Sequence, residues 1–505
     1  MKKRSLVLIT VDCLRADHVG FLGYSRSVTP FLDSLAKTSA VFSQAIVAGA
    51  PTYFSFPAIM ASRYPLSLGR EILGIAPGES TIASVLKGSG YETAAFVAGN
   101  PYLTARFGYE QGFARFEDFM RSEAFGNIGV LPNESRMWSG WNRQIERWSR
   151  KTRVTESAYN ELYFRYYQWR SRRGVVSMDQ LRRYPSADVL VDQAINWVQA
   201  LKDQPFFLWI HLMDPHNPYY PPEEALSSLG FSNICAQRAL FLNLFWNRWD
   251  LGQRRFERYK EEIVTLYDAG VRWVDQQLSR LVDFLQQGQR WDDTVFAMTA
   301  DHGEEFLEHG IRYHAPGLAE QLIHVPLLIR PPDFSIAKRL DDPFSLIDLA
   351  PTLLECLAVA VPESFQGRGL WSQISAGKLP DEPAIVECVA CNHPWLVADR
   401  VQPRLMAVRD KNYKLAIRFR DQSHDLYCVK DDPLERFPIP ADRQKQECQR
   451  LWRAAGAHFR QLRERRDTDL ALRARFREIR QQLNRAPVET GDTEVQNPLE
   501  IAGHG

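Results

Sequence analysis

Short apolar runs alternate along this chain with longer stretches in which apolar residues recur at helical spacing. The runs are rich in β-branched and aromatic residues, so each predicts a buried strand. The clearest are Ser5–Val11, Glu92–Ala98, Pro205–Leu212, Asp293–Ala300 and Val325–Arg330. Strands that alternate with helices in this way are typical of a mainly parallel sheet with helices on both faces. The pattern therefore predicts an α/β/α sandwich.

Changes in amino-acid composition along the chain predict further domain boundaries. Within a main domain predicted over residues 1–380, residues 118–190 form an insertion that is rich in Arg, Trp and Tyr and helical in pattern. Short strand-like pieces then predict a small α+β subdomain with an antiparallel sheet over residues 381–440. An Arg-rich helical tail is predicted over residues 441–487, and the polar composition of residues 488–505 predicts disorder.

The insertion and the tail each leave two interpretations open. In the insertion, aromatic residues interleaved with Arg predict either the core of a helical pair or a platform for a sugar or an anionic head group. These residues are Trp138, Trp141, Trp148 and Trp169. In the tail, apolar residues at helical spacing predict a helix docked on the body, or a basic amphipathic helix on an anionic membrane. These residues are Leu472, Phe476, Ile479 and Leu483.

Polar side chains follow four of the predicted strands at the point where each strand ends. They are Asp12, Asn100, the pair Asp214 and His216, and the pair Asp301 and His302. Because ligands of open parallel sheets bind outside the carboxyl ends of the strands, we expect several of these groups to converge. Carboxylates and an imidazole together suit one divalent cation of the Ca, Mg or Mn kind, with Zn also possible.

Composition narrows the class of protein. The 505 residues carry a formal net charge of +1, are 45% hydrophobic and 24% charged, and include seven irregularly spaced cysteines. This describes a globular protein with no electrostatic reason to bind nucleic acid. No run approaches the roughly 18 apolar residues needed to span a bilayer. The odd cysteine count favours a reducing compartment, so we predict a cytoplasmic location.

Six ordered motifs, which include HLMDPHNPY, TADHGEEFLEHG and the loop PTYFSFPAIMASRYP, resemble the sulfatase branch of the alkaline phosphatase superfamily. The resemblance extends over most of residues 5–437 and implies an alkaline-phosphatase-like fold and a metal-dependent ester hydrolase or transferase. By position, it implies that Asp12, Asp301 and His302 hold the metal. It also implies that His216 and His314 bind the sulfuryl or phosphoryl oxygens and protonate the leaving group.

The loop of residues 51–65 offers two hydroxyl groups as the nucleophile. The family carries a Cys or Ser that is oxidised to formylglycine, at a fixed distance before a loop end similar to ASRYP. By this resemblance, counting thirteen residues back from Pro65 selects Thr52, which then also contacts the metal. Thr52 cannot become formylglycine, because its β-carbon carries a methyl group, and this variant resembles phosphoglycerol and phosphoethanolamine transferases. Ser55 is predicted to cap the following helix, with Pro57 in its first turn.

Other positions depart from the family pattern or remain ambiguous. Cys13 occupies the place of a second metal-binding Asp, and Asn100 lies where the family has a Lys-x-His pair and is predicted to contact the substrate. Glu304 is either a support for the metal site or a helix-start carboxylate. His211 is predicted to be a hydrogen-bonded core histidine. Cys388, Cys391, His393, His309 and His324 are predicted to have structural roles.

The predicted function is cleavage or transfer of a sulfate or phosphate ester through Thr52, on an anionic substrate for which a sugar or a lipid is the candidate linked group. Three alternatives stay open: a phosphodiesterase or phosphotransferase, a two-metal phosphatase or mutase, and a scaffold without chemistry. The two-metal alternative needs extra ligands, for which His211, Asp214 and His309 are the candidates.

Overall fold

The computed structural model describes residues 3–120, 145, 148–149, 152–171, 175–334, 337–390, 401–440 and 442–483. The strands are β1 (Ser5–Val11), β2 (Ala40–Ile46), β3 (Glu92–Val97), β4 (Arg115–Glu117), β5 (Phe206–Leu212), β6 (Thr294–Ala300), β7 (Glu305–Phe306), β8 (Arg312–Tyr313), β9 (His324–Arg330), β10 (Lys338–Leu340), β11 (Phe344–Ser345), β12 (Ala384–Val389), β13 (Arg404–Arg409), β14 (Tyr413–Arg418) and β15 (Ser423–Cys428).

The described α-helices are α1 (Pro30–Leu35), α2 (Thr52–Ala61), α3 (Ile82–Gly88), α4 (Arg153–Ser171), α5 (Ala187–Ala200), α6 (Glu223–Ser228), α7 (Ala236–Trp246), α8 (Gln253–Gln287), α9 (Glu320–Ile323), α10 (Leu349–Cys356), α11 (Trp371–Ser375), α12 (Lys445–Glu464) and α13 (Thr468–Leu483).

A nine-stranded, mostly parallel sheet forms the centre of the molecule. Its strands run in the order β10-β2-β9-β6-β1-β5-β3-β4, and β11 also pairs with β2. Every residue of β1, β5 and β6 is buried, as expected for strands covered on both faces. Among the strands that the structure describes in this sheet, only β9 runs antiparallel to its neighbours, β2 and β6. The predicted mainly parallel sheet is confirmed.

The helices fall into two packed groups. Helices α1, α5, α6 and α7 contact the long helix α8, whereas α2, α3 and α11 contact α10. Both groups share one large core with the sheet, in which the aromatic residues Trp209, Phe207 and Phe296 are fully buried. This layered arrangement matches the predicted sandwich.

Strands β12 to β15 form a separate four-stranded antiparallel sheet, and α12 packs against β13 and β14. The contact is a small apolar cluster that contains Met406, Leu415, Leu426 and Leu451. The predicted antiparallel sheet in this part of the chain is therefore present.

Helix α13 docks on the body, but not through the predicted face. Ala471 and Ala474 are buried against Leu68 and Ile72, while Leu472, Phe476 and Ile479 are 52%, 67% and 51% exposed. Small side chains allow the closest approach between backbones, so the alanines form the interface and the larger apolar side chains point outward. The predicted docking stripe is therefore wrong for these three residues, and the side chain of its fourth member, Leu483, lies outside the described part of the chain.

The tryptophans of the insertion that the structure describes are not core residues. Trp148 and Trp169 are 60% and 54% exposed, so packing of these two rings in a helical core is wrong. Trp138, Trp141, Cys391, His393 and residues 488–505 lie outside the described residues. Within the described part of the chain, no helix is long and apolar enough to cross a membrane.

Candidate active site

The carboxyl ends of neighbouring strands bring the predicted residues together. Strands β6, β1, β5 and β3 are consecutive in the sheet, and Asp12 extends β1 by donating its backbone N–H to Leu212 O at 2.8 Å. Asp12, Asp301 and His302 have no exposed surface, and Thr52 and Asn100 are nearly as buried. The residues that follow separate strands thus share one buried pocket at this edge.

Asp12 is held by three side chains. Asn100 Nδ2 donates to Asp12 Oδ2 at 2.9 Å, His211 Nε2 lies 3.3 Å from the same oxygen, and the Cys13 thiol donates to Oδ1 at 3.0 Å. Burial alone would raise the pKa of Asp12, but its electrostatic interaction with His216 and the hydrogen bond from His211 hold it well below its ordinary value. Asp12 is therefore an anchored carboxylate.

His211 has a larger role than that of a core histidine. Trp209 Nε1 donates to Thr10 Oγ1 at 2.9 Å, and Thr10 Oγ1 lies 2.9 Å from His211 Nδ1. The Thr10 hydroxyl can therefore donate to Nδ1, which leaves the proton on Nε2, facing Asp12. His211 thus orients a carboxylate of the site. The register between β5 and β1, which pairs His211 with Thr10, places it there.

His302 faces the site with a nitrogen lone pair. Its Nδ1 donates to the backbone oxygen of Gly303 at 2.8 Å, so in the neutral ring the lone pair lies on Nε2. Nε2 lies 3.6 Å from Asp12 Oδ1 and 3.5 Å from Asp301 Oδ2. Burial and the charge of Asp12 raise the pKa of Asp301.

Thr52 is the first residue of helix α2, and its Oγ1 donates to His302 Nε2 at 3.1 Å. The helix starts here because the backbone N–H groups of Phe54 and Ser55 both donate to Pro51 O, at 2.8 and 3.1 Å. The hydroxyl therefore lies at the positive end of the helix dipole, next to the two carboxylates.

The predicted role of Ser55 as a helix cap is wrong. The N-cap residue is Pro51, and Ser55 lies inside a helix of which every residue is buried. Its Oγ has no hydrogen-bond partner in the structure. Pro57 is likewise inside the helix rather than in its first turn. The helix starts earlier than predicted because its first N–H groups are bonded by the Pro51 carbonyl, without a side-chain cap.

His216 and His314 line the less buried side of the site. Their ring centroids are 4.9 Å apart, and the His314 ring is 4.6 Å from that of His302. His314 Nδ1 is 3.2 Å from Glu304 Oε1. Burial alone would lower the pKa of His314, but the Glu304 carboxylate raises it to about 9. Burial lowers the pKa of His216 to about 4.

Glu304 supports this side of the site. It is fully buried, and Tyr219 donates its hydroxyl to Oε2 at 3.1 Å. Glu304 follows β6 and is not part of a described helix, so the helix-start interpretation is wrong. The remaining interpretation, a carboxylate that orients a residue of the site, fits its contact with His314.

Three other candidates lie outside the site. Asp214 accepts hydrogen bonds from Ser186 Oγ at 3.3 Å and from the backbone N–H of Ala187 at 3.2 Å, at the start of α5. His309 bonds to Glu305 at 2.6 Å, and His324 bonds to the backbone oxygen of Ser43 at 2.9 Å. These contacts are structural.

The residues present fit a divalent cation. Asp301 Oδ2 is buried without a hydrogen-bond partner, and the lone pair of His302 Nε2 faces two carboxylate oxygens. Such atoms repel one another unless a proton or a cation lies among them. Among the described residues, the groups of ligand atoms within 4.8 Å of one another are Asp12–His211–Asp301, Asp12–Cys13–His302 and Cys13–His216–His314.

Comparison with known proteins shows the family of this chain. Residues 4–359 match a family model described as sulfatase, and residues 308–461 match one described as N-sulphoglucosamine sulphohydrolase, C-terminal. A sulfatase of Formosa agariphila is 23% identical over 465 residues, which are 86% of this chain and 82% of that protein. The arylsulfatase K of Xenopus laevis is 28% identical over 211 residues, 37% of this chain and only 39% of that protein.

A solved structure has the same fold. The phosphonate monoester hydrolase of Agrobacterium radiobacter superposes with a TM-score of 0.62 over 92% of this chain and 96% of that one. The two sequences are 19% identical, so this likeness concerns the fold.

Proposed function

Since this chain belongs to the sulfatase family, we propose that it is a metal-dependent ester hydrolase in which unmodified Thr52 is the nucleophile. Its substrate is a sulfate or phosphate ester of an organic alcohol, such as a sugar. The observation that carries the proposal is the 3.1 Å contact between Thr52 Oγ1 and His302 Nε2, beside Asp12 and Asp301. Ser55, which carries the other hydroxyl group of the loop, is a buried residue in the middle of α2.

Asp12, Asp301, His302 and Thr52 would hold the cation, and Asn100 and His211 would keep Asp12 in place. A bound divalent cation would lower the pKa of the Thr52 hydroxyl and neutralise charge on the ester oxygens. The position of Thr52 at the start of α2 supports the same chemistry, because the helix dipole favours an alkoxide there.

The reaction then needs a proton for the departing alcohol. The Thr52 hydroxyl gives up its proton to solvent, Oγ forms a bond to sulfur or phosphorus, and the bond between that atom and the alcohol oxygen breaks. His314, which is oriented by Glu304, is suited to donate that proton, and His216 to contact a non-bridging oxygen. Water subsequently attacks the covalent ester and regenerates the Thr52 hydroxyl.

The choice of Thr52 bears on the class of ester. A formylglycine hydrate can expel sulfate by collapse to an aldehyde, and a threonine ester has no such route. We therefore expect phosphate or phosphonate esters to be turned over faster than sulfate esters of the same alcohol. Transfer to another hydroxyl is the second candidate outcome, because the covalent ester can react with any hydroxyl that enters the site.

The test is a panel of aryl sulfate, phosphate and phosphonate esters with several divalent cations. We expect Thr52→Ala to reduce kcat by at least about 10²-fold, whereas Ser55→Ala, the matched loss of a hydroxyl three residues away, keeps both activity and stability. The intact mass should show no oxidation at Ser55, and a trapped adduct should map to Thr52. Formylglycine at Ser55, or full turnover by Thr52→Ala, would contradict the proposal.

A further inference from the structure

We propose that Cys13 is a sulfur ligand of the cation in this site and makes the site select Zn²⁺-type ions over Ca²⁺ and Mg²⁺. The inference rests on the proposed function, since it assumes that a cation binds among Asp12, Asp301 and His302. It adds the chemical identity of that cation.

The first argument is the position of the sulfur. Cys13 Sγ lies 3.0 Å from Asp12 Oδ1 and 3.3 Å from His314 Nδ1. It belongs to two of the groups whose ligand atoms all lie within 4.8 Å of one another, one with Asp12 and His302 and one with His216 and His314. Two ligands of a single zinc ion are at most about 4.5 Å apart, given typical Zn–S and Zn–O bond lengths. The sulfur is therefore close enough to share an ion with Asp12.

The second argument is the backbone that presents the sulfur. Cys13 has a φ of 62°, in the left-handed region that non-glycine residues rarely adopt. Tyr267 holds this turn: its hydroxyl donates to Cys13 O at 2.8 Å and accepts from the backbone N–H of Arg15 at 3.0 Å. A buried tyrosine thus fixes a strained residue so that its side chain points at Asp12. Such strain is typical of functional sites.

The third argument is the kind of atoms that surround the sulfur. Three carboxylates, those of Asp12, Asp301 and Glu304, are fully buried at this end of the sheet. A site of carboxylate oxygens alone would suit Ca²⁺ or Mg²⁺. A thiolate and an imidazole beside the carboxylates shift the preference to Zn²⁺ or Co²⁺. Binding releases the thiol proton to solvent as the sulfur–metal bond forms.

The experiment loads the metal-free full chain with Co²⁺ and records its absorption spectrum. We expect a near-ultraviolet thiolate-to-cobalt charge-transfer band in the unmodified protein. The band should be lost in Cys13→Ser and kept in Cys235→Ser, a control in which an exposed free cysteine is replaced. Competition dialysis should show a Zn²⁺ affinity at least about 10-fold lower in Cys13→Ser, and a gain of Ca²⁺ relative to Zn²⁺ in Cys13→Asp.

Each result of this experiment either supports or overturns the proposed sulfur ligand. Cobalt bound by the unmodified protein without the charge-transfer band would overturn the sulfur ligand and leave the proposed function standing. Failure of the unmodified protein to bind any divalent ion would overturn both. The spectrum of the unmodified protein needs no substitution, so it decides even where Cys13→Ser does not fold.

Discussion

At the scale of single residues, Thr52 and Ser55 lie in the same helix, yet their hydroxyl groups have different surroundings. Thr52 Oγ1 donates to His302, whereas Ser55 Oγ is buried with no partner. The family's distance from the loop end at Pro65 selects Thr52 by position, although the helix is predicted to start later than it does. The surroundings of Ser55 could not be predicted in that way, because they depend on what packs over the helix.

A separate prediction concerns the roles of His216 and His314. We expect His216→Ala and His314→Ala to lower kcat by about 10²- to 10⁴-fold, because each removes an acid or an oxyanion contact. The amount of bound metal should not change, because neither side chain is among the proposed ligands. Metal analysis and steady-state kinetics on the same samples check this.

His424→Ala is the control for these two variants. That histidine lies on β15 and packs against Trp452, so its loss should leave kcat unchanged. A normal rate in His314→Ala would remove the histidine from the chemistry and leave it a structural role beside Glu304.

The residues of the candidate site that directly follow a strand could be predicted from the sequence. Asp12, Asp301 and His302 each follow a buried strand, so the sheet alone brings them together. His211 was read as a core histidine because it lies inside an apolar strand. Its role depends on the register between β5 and β1, which places it beside Thr10. Register is a tertiary property that a single strand does not encode.

At the scale of elements, helix α13 shows how periodicity can select the wrong face. Leu472, Phe476 and Ile479 recur at helical spacing, but the buried residues are Ala471 and Ala474. The Arg477 guanidinium adds a hydrogen bond to Leu73 O at 2.6 Å. Spacing predicted the helix correctly, but close packing and backbone hydrogen bonds decided its face.

This contact gives a testable difference between two neighbouring positions. Ala474→Glu places a charge in a fully buried site, so we expect it to weaken docking of α13 by about 1–3 kcal/mol. Phe476→Glu changes a side chain that is already 67% exposed and should have little effect. Hydrogen exchange across residues 468–483 measures the docking directly. Equal loss of protection in both variants would contradict the exposed position of Phe476 and mean that its side chain also contributes to docking.

At the scale of the whole molecule, the five predicted strands are all present, each within a residue or two of its predicted bounds. These strands are long, apolar and central in the sheet, so the local hydrophobic pattern is enough to predict them. Strand β2 was not among them, and β10 and β11 are short edge strands that pair with it. Their pairing depends on partners almost 300 residues away, which no local window contains.

The buried carboxylates link stability to the cation. Without an ion, Asp12 and Asp301 repel each other inside the protein. We therefore expect a chelator to lower the thermal midpoint of the unmodified protein. Asp301→Asn removes one charge, so it should abolish activity and yet make the metal-free protein more stable, by about 1–3 kcal/mol. Calorimetry with and without chelator measures both effects.

The matched control is Asp214→Asn, which changes a buried carboxylate that bonds to Ser186 at the start of α5. Its midpoint should respond to chelator as the unmodified protein does. If Asp301→Asn were as sensitive to chelator as the unmodified protein, Asp301 would not be a ligand.

The docking of α13 also bears on how the protein is made. The Arg477 guanidinium bonds to the carbonyl of Ile75, 402 positions earlier in the chain. Leu68 and Ile72, which follow the helix of Thr52, are covered by Ala471 and Ala474 of the same element. During synthesis on the ribosome, these two apolar side chains emerge early. They stay uncovered until α13 has been translated. Throughout that interval they add to the exposed apolar surface that makes incomplete chains prone to aggregation.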